Sequence, residues 1–184
     1  MLVLGSRCLA SIGHIAVGMA AARACRRGRS TRWALLTAMV IWSGLSLLPD
    51  ADVLGFQFGI KYGDPWGHRG ATHSIVFALA IALLCALLAR AFKVSPVRTA
   101  AVAAVVVGSH GLLDTLTDGG LGCALLWPFD THRYFAPWNP IPVAPIGRHF
   151  FSKAGLSVAL RELALFSPFF GYALWPRKRD PRER

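Results

Sequence analysis

Residues 68–120 read HRGATHSIVFALAIALLCALLARAFKVSPVRTAAVAAVVVGSHGLLDTLTDGG, and this stretch decides the fold. It holds two apolar runs, 74–92 and 97–117, each close to the ~20 helical residues that cross a bilayer core. Arg90, Lys93 and Arg98 mark the turn that joins them. At the other ends lie His68 and His73, ahead of the first run, and His110 and Asp114, near the exit of the second. A helical hairpin therefore brings both polar pairs to one membrane face and the basic turn to the other. Thr72 or Ser74 serves to cap the first helix. Gly119-Gly120 is the expected stop of the second.

Outward from this hairpin the pattern repeats. Runs 33–48 and 156–175 are long enough, or nearly so, to cross, and a fifth, 2–22, is interrupted by Arg7 and His14. Ala22-Arg23-Ala24 resembles a signal cleavage site, but one Arg and a Gly-rich middle make a weak signal peptide, so the run is read as retained. The 184 residues are 54% hydrophobic and 16% charged, against about 25% charged in a soluble domain. Disorder is excluded. Four scattered cysteines without a C-x-x-C pair argue against a disulfide scaffold. The reading is all-α: an integral membrane bundle of about five helices with two extended extracytoplasmic connections, 49–73 and 118–155. Residues 1–176 form one membrane-embedded domain and 177–184 a basic cytoplasmic tail.

The formal charge of +11 is a topology signal. Arg23, Arg26, Arg27, Arg29, Arg32, Arg90, Lys93, Arg98, Arg177, Lys178, Arg179, Arg182 and Arg184 all fall on one face, opposed there by Asp180 and Glu183 alone. The positive-inside rule puts those loops and the C-terminus in the cytoplasm. Basic residues interleaved with apolar runs do not suit nucleic acid, so the lipid bilayer is the expected partner. The connection 118–155 carries five prolines and should be extended. Its Trp127, Phe129, Tyr134, Phe135 and Trp138 suit the membrane–water boundary.

Seven of nine acids and five of six histidines lie in or beside the low-charge face. His110 and Asp114, four apart, stack on one helical face, with Asp118 a turn further on. Pro49 is followed by Asp50 and Asp52, Glu162 stands near the entrance to the last run, and His14 reaches the face from the first helix. Buried ionisable groups cost ~2.5–3.5 kcal/mol each at mid-membrane depth, and a divalent cation satisfies carboxylates and imidazoles together. His14, Asp52, His68, His73, His110, Asp114 and Glu162 are the expected ligands of one or two ions. Zinc comes first, then manganese or iron. Asp50 and Asp118 are candidate general bases, and Arg69 the group that stabilises developing charge. His132 and His149 read as surface residues.

GHIAVG at 13–18, LPDAD at 48–52, HRGATHS at 68–74, SHGLLDTLTDGG at 109–120 and WPFDTHRYFAPWNPIPVAP at 127–145 resemble the YdjM-type membrane-bound metal-dependent hydrolases. The resemblance covers most of the chain in the family's order. It implies a bacterial inner-membrane protein with metal-dependent hydrolase activity. A more distant similarity is to the zinc-dependent phospholipase C fold, which takes ligands as His, Asp, His and then H-x-x-x-D. That fold next uses H-x-x-x-E, whereas Val158 stands four before Glu162 here. One or two ions are therefore expected, not three. A site at headgroup depth favours a lipid-linked ester or phosphoester substrate. Two rival classes stay open: a scaffold with a closed structural metal site, and a transporter or ion relay, which would show inverted repeats that this sequence lacks.

Overall fold

Helices begin where the sequence supplies caps. Thr31 Oγ1 accepts from Ala34 N–H at 3.1 Å at the head of α2 (Arg32–Leu47), after α1 (Ser11–Cys25). Ser74 Oγ accepts from Phe77 N–H at 3.1 Å and opens α3 (Ile75–Ala91). Pro96 opens α4 (Pro96–Thr115), a position where its missing N–H costs nothing. Ser152 Oγ accepts from Gly155 N–H at 3.3 Å ahead of α5 (Lys153–Leu165), and α6 (Ser167–Leu174) follows. The computed structural model describes residues 11–25, 31–143 and 152–176. The start of the first run, His149 and the basic tail 177–184 lie outside the described residues.

The described residues form an all-helical bundle without strands, apart from two isolated bridges. α1 packs on α2 and α6, α3 packs on α4, and α2 ties the two groups together through α4. Gly18 makes the α1–α2 crossing close, because a Cβ there would overlap the Ser43 backbone. Three expectations are corrected. The run 156–175 is broken at Phe166, giving six helices among the described residues. Pro168 cannot donate to Ala164 O, and Ser167 Oγ takes that carbonyl at 2.8 Å instead. The connection after α2 is not extended, since Leu48–Phe58 continues as a 3-10 helix stopped at Gly59 with φ +81°. Lastly, α4 ends at Thr115, ahead of Gly119-Gly120. Its terminal carbonyls are taken from far along the chain: Ala136 N–H and Asn139 Nδ2 both donate to Thr115 O at 2.9 Å, and Ile141 N–H donates to Leu116 O at 3.2 Å. Helix ends need such partners.

Burial runs opposite to that of a water-soluble domain. Arg69, His14, His68, His110, Glu162 and Asp114 are among the largest fully buried side chains. Leu79, Leu83, Leu84, Leu87 and Leu88 of α3, with Val40 and Ile41 of α2, are exposed. Such an apolar exterior over a polar interior fits a lipid solvent. Arg32–Phe58 and Pro96–Thr115 are long and apolar enough to cross a membrane, while Ile12–Cys25 and Ile75–Ala91 are shorter apolar helices. The chain is a helical membrane protein.

Candidate metal centre

Each polar side chain is delivered by an element whose local sequence explains its position. The 3-10 continuation of α2 carries Asp50 and Asp52 inward, and α4 presents His110 and Asp114 one turn apart. A short helical turn, Ala71–His73, seats His73. That turn lies directly on α4 because residue 111 is glycine: a Cβ there would overlap the His73 carbonyl. Arg69 adopts φ +62°, which folds its guanidinium inward. Its Nε pairs with Asp114 Oδ2 at 2.9 Å, and its Nη1 donates to Thr117 Oγ1 at 2.8 Å and Gly119 O at 2.9 Å.

Four donor atoms converge. His110 Nε2 lies 3.1 Å from His73 Nε2, 3.3 Å from Asp50 Oδ1 and 3.9 Å from Asp114 Oδ2. His73 Nε2 lies 3.6 Å from Asp50 Oδ1 and 3.5 Å from Asp114 Oδ2. Ligands about 2.0–2.2 Å from a tetrahedral ion stand about 3.3–3.6 Å apart, and these five edges bracket that spacing. Asp50, His73, His110 and Asp114 form one group that could hold a metal, and all four are buried.

Hydrogen bonding points the same way. His110 Nδ1 meets Ser46 O at 2.7 Å, and a carbonyl only accepts, so Nδ1 carries the proton. His73 Nδ1 faces Asp52 Oδ2 at 3.2 Å. In the neutral rings both Nε2 lone pairs therefore turn toward each other and toward two carboxylates, which an intervening cation would resolve. Charge agrees as well. The Asp50, Asp52 and Asp114 side chains are at most 9% exposed, and one buried guanidinium, Arg69, stands against these three acids. With the imidazoles neutral, two negative charges remain, the complement of a divalent ion. A proton competes for the same place. Burial lowers the His73 pKa, but hydrogen bonds to Asp114, Asp50 and Asp52 outweigh it and hold the value well above the ordinary one.

The remaining expected residues sit around this group. Asp52 accepts from His68 Nδ1 at 2.7 Å, Thr72 Oγ1 at 2.6 Å and Arg69 N–H at 3.2 Å. With His68 and His73 it forms a second group of possible ligands that shares His73. His14 Nε2 is 3.3 Å from Asp114 Oδ1, and its ring stacks on His110 at 3.7 Å. Glu162 is buried, but its Oε2 accepts from Ile12 N–H at 3.0 Å and Gly13 N–H at 3.2 Å, binding α5 to the start of α1. Asp118 is exposed and accepts from Val143 N–H at 2.8 Å. Neither belongs to either group of possible ligands. His132 lies outside as well, its N–H bound to Asp130 Oδ1.

Comparison with known proteins agrees with the membrane character of the fold. Residues 9–177 match the family described as YdjM inner membrane protein. The chain belongs to that family. It is 46% identical over 121 residues to inner membrane protein YbcI of Escherichia coli (strain K12), covering 65% of this chain and 70% of that relative. No solved structure matches. In this YdjM family member, sequence reasoning missed Ser46, whose backbone carbonyl fixes His110, and Arg133. The Arg133 guanidinium donates to His68 O at 2.9 Å, Tyr62 O at 3.1 Å and Asp64 O at 3.2 Å, bracing the turn that carries His68. A backbone acceptor such as Ser46 O leaves no mark in sequence. The only hint of Arg133 was a basic residue among aromatics and prolines.

Proposed function

We propose that this protein is a metal-dependent hydrolase of the bacterial inner membrane, cleaving a lipid-linked ester or phosphoester at the membrane face. The observation that carries the reading is the convergence of Asp50 Oδ1, His73 Nε2, His110 Nε2 and Asp114 Oδ2, with five of their mutual distances at 3.1–3.9 Å. Two imidazoles with two carboxylates suit zinc first, with manganese or iron as substitutes. A bound divalent cation would lower the pKa of an attached water toward 7 and polarise the bond to be cleaved.

The chain's own groups then have separate tasks. His73 and His110 are held in tautomer by Asp52 and Ser46 O, the outer-sphere pattern that orients ligating histidines. Asp50 Oδ1 faces the imidazoles. Its Oδ2 has no hydrogen-bond partner among the described residues and is the acceptor for the proton that the attacking water gives up. Arg69 is committed to Asp114, Thr117 and Gly119, so it neutralises and aims Asp114 and leaves the leaving group to others. Asp118 and Glu162 brace the fold around the site. The molecule crosses the membrane several times, with its basic loops and C-terminus in the cytoplasm and the site on the opposite face. A reporter fused after Asp118 should therefore read extracytoplasmic.

A second reading is favoured by one feature: four converging protein donors is the count of a closed structural site. The test begins with elemental mass spectrometry on the detergent-purified protein beside Asp114→Ala and His73→Ala/His110→Ala. One equivalent of zinc or manganese, lost in both variants, is expected, with hydrolysis of a phospholipid panel that a chelator stops. No cation after reconstitution ends the hydrolase reading. A loaded protein that cleaves no ester or phosphoester leaves the structural site in its place.

A further inference from the structure

Four protein donors close a tetrahedral ion completely, whereas a catalytic ion keeps one position for water or substrate. The cluster is also shut off from its surroundings: the His73 and His110 side chains are fully buried and that of Asp114 is 3% exposed. A hydrolase built on it must release one donor, and the four are not held alike. Asp114 is held at both oxygens, Oδ2 by Arg69 Nε at 2.9 Å and Oδ1 by His14 Nε2 at 3.3 Å. His110 is fixed through Nδ1 by Ser46 O at 2.7 Å, and His73 through Nδ1 by Asp52 Oδ2 at 3.2 Å. Asp50 differs: its Oδ2 is buried without a hydrogen-bond partner among the described residues. Its side chain is also the most exposed of the four, at 9%.

The backbone beneath Asp50 differs as well. His110 and Asp114 stand on α4, an unbroken α-helix through to Thr115, and His73 sits on a turn pressed against α4 at Gly111. Asp50 rides on Leu48–Phe58, eleven residues of 3-10 helix, a form uncommon beyond about four residues because its hydrogen bonds are poorer. Pro49 accounts for the change of helix, since without an N–H it cannot extend the ladder of α2. Ala51, Leu54 and Gln57, three residues apart, are all exposed, so this segment has an open outer side toward which it can move. We propose that Asp50 is the displaceable donor of the cluster: its carboxylate closes the site at rest and swings outward on the 3-10 segment, leaving its place beside His73, His110 and Asp114 to water or a substrate oxygen. The inference rests on the hydrolase reading and says how that closed site opens. It also joins two tasks in one group, because a carboxylate that has let go of the ion can take the proton of the attacking water.

The test uses the full chain in detergent, loaded with cobalt, whose visible spectrum reports the donors around it. Asp50→Ala should hold the cation within about tenfold of wild-type affinity, whereas Asp114→Ala should weaken it about a hundredfold or more. The Asp50→Ala spectrum should change to that of a site with a solvent donor, and added acetate should restore the wild-type form by filling the gap. Asp114→Ala, enclosed by Arg69 and His14, should not respond to acetate. Asp50→Asn keeps the side chain's shape and should also retain the cation, which gives a second reading should the alanine variant misfold. Without cation, both Asp50 variants should unfold no earlier than the wild type, because each removes a buried charge with an unpartnered oxygen. Loss of the cation from the Asp50 variants as complete as from Asp114→Ala, or an Asp50→Ala spectrum that acetate leaves unchanged, would overturn the displaceable donor. The two readings fail differently. A loaded wild type beside empty Asp50 variants ends displacement alone, whereas a wild type that takes up neither cobalt nor zinc ends the hydrolase reading and displacement with it.

Discussion

The two ends of the bundle handle charge in opposite ways. At one end Arg23 and Arg98 turn onto backbone carbonyls at the C-termini of α6 and α1, where helix dipoles and orphan acceptors welcome cations. At the other end acids and imidazoles turn toward one another, and their nearest neighbours are side chains of the same group. The first arrangement finishes helices and leaves nothing over. The second, with its imidazoles neutral, leaves lone pairs facing inward and two uncompensated charges. Buried charge alone is therefore not the mark of a site; what its partners are separates the two ends.

That contrast can be broken by substitution, beginning with the strongest case. Gly111→Ala places a methyl group into the His73 carbonyl. It should cost about 1–3 kcal/mol of stability, as overpacking does, and lower cation affinity with it. Gly44, where a Cβ would meet nothing within 4 Å, is the comparison: Gly44→Ala should gain up to about 1 kcal/mol and leave affinity unchanged. Thermal unfolding with and without added zinc reads both. Next is Asp52→Asn, which removes the charge that orients His73. Affinity should fall roughly 10–100-fold, the usual effect of losing an outer-sphere carboxylate. In the wild type a cation must displace the His73 proton, whose pKa is raised, so affinity should weaken as pH falls. A zinc titration showing no pH dependence would remove His73 from the ligand set. The smallest effect belongs to the other end: Arg98→Gln should cost about 1 kcal/mol or less and change cation content not at all.

Much of this is legible in the sequence, and the misses share a cause. The runs that form α2, α3 and α4 are visible as apolar lengths, and alternation of crossings alone brings Asp50, His73, His110 and Asp114 to one end. A cap ahead of α3 is legible as Thr72 or Ser74, and the structure gives it to Ser74, while the Thr72 hydroxyl turns to Asp52. What fails depends on backbone groups distant in sequence. Gly119-Gly120 looks like the end of α4, yet residues 136–141 supply the partners that stop it at Thr115. Glu162, read as a ligand, and Asp118, read as a general base, accept from backbone N–H groups at Ile12, Gly13 and Val143, partners that the sequence does not announce. No spacing rule distinguishes a carboxylate that meets an amide from one that meets an ion. The break at Phe166 is the exception, since Pro168 announces it and the apolar count hides it.

The return of residues 136–141 onto the last turn of α4 also bears on biogenesis. As the chain emerges from the ribosome, α4 enters the membrane before the stretch that closes its end has been made. His110 and Asp114 thus spend an interval beside open carbonyls, with the closing stretch and α5 still to come. The end of α4 is thus closed only after residues 136–141 have been made, so the helix that carries His110 and Asp114 is inserted before its last carbonyls have their partners.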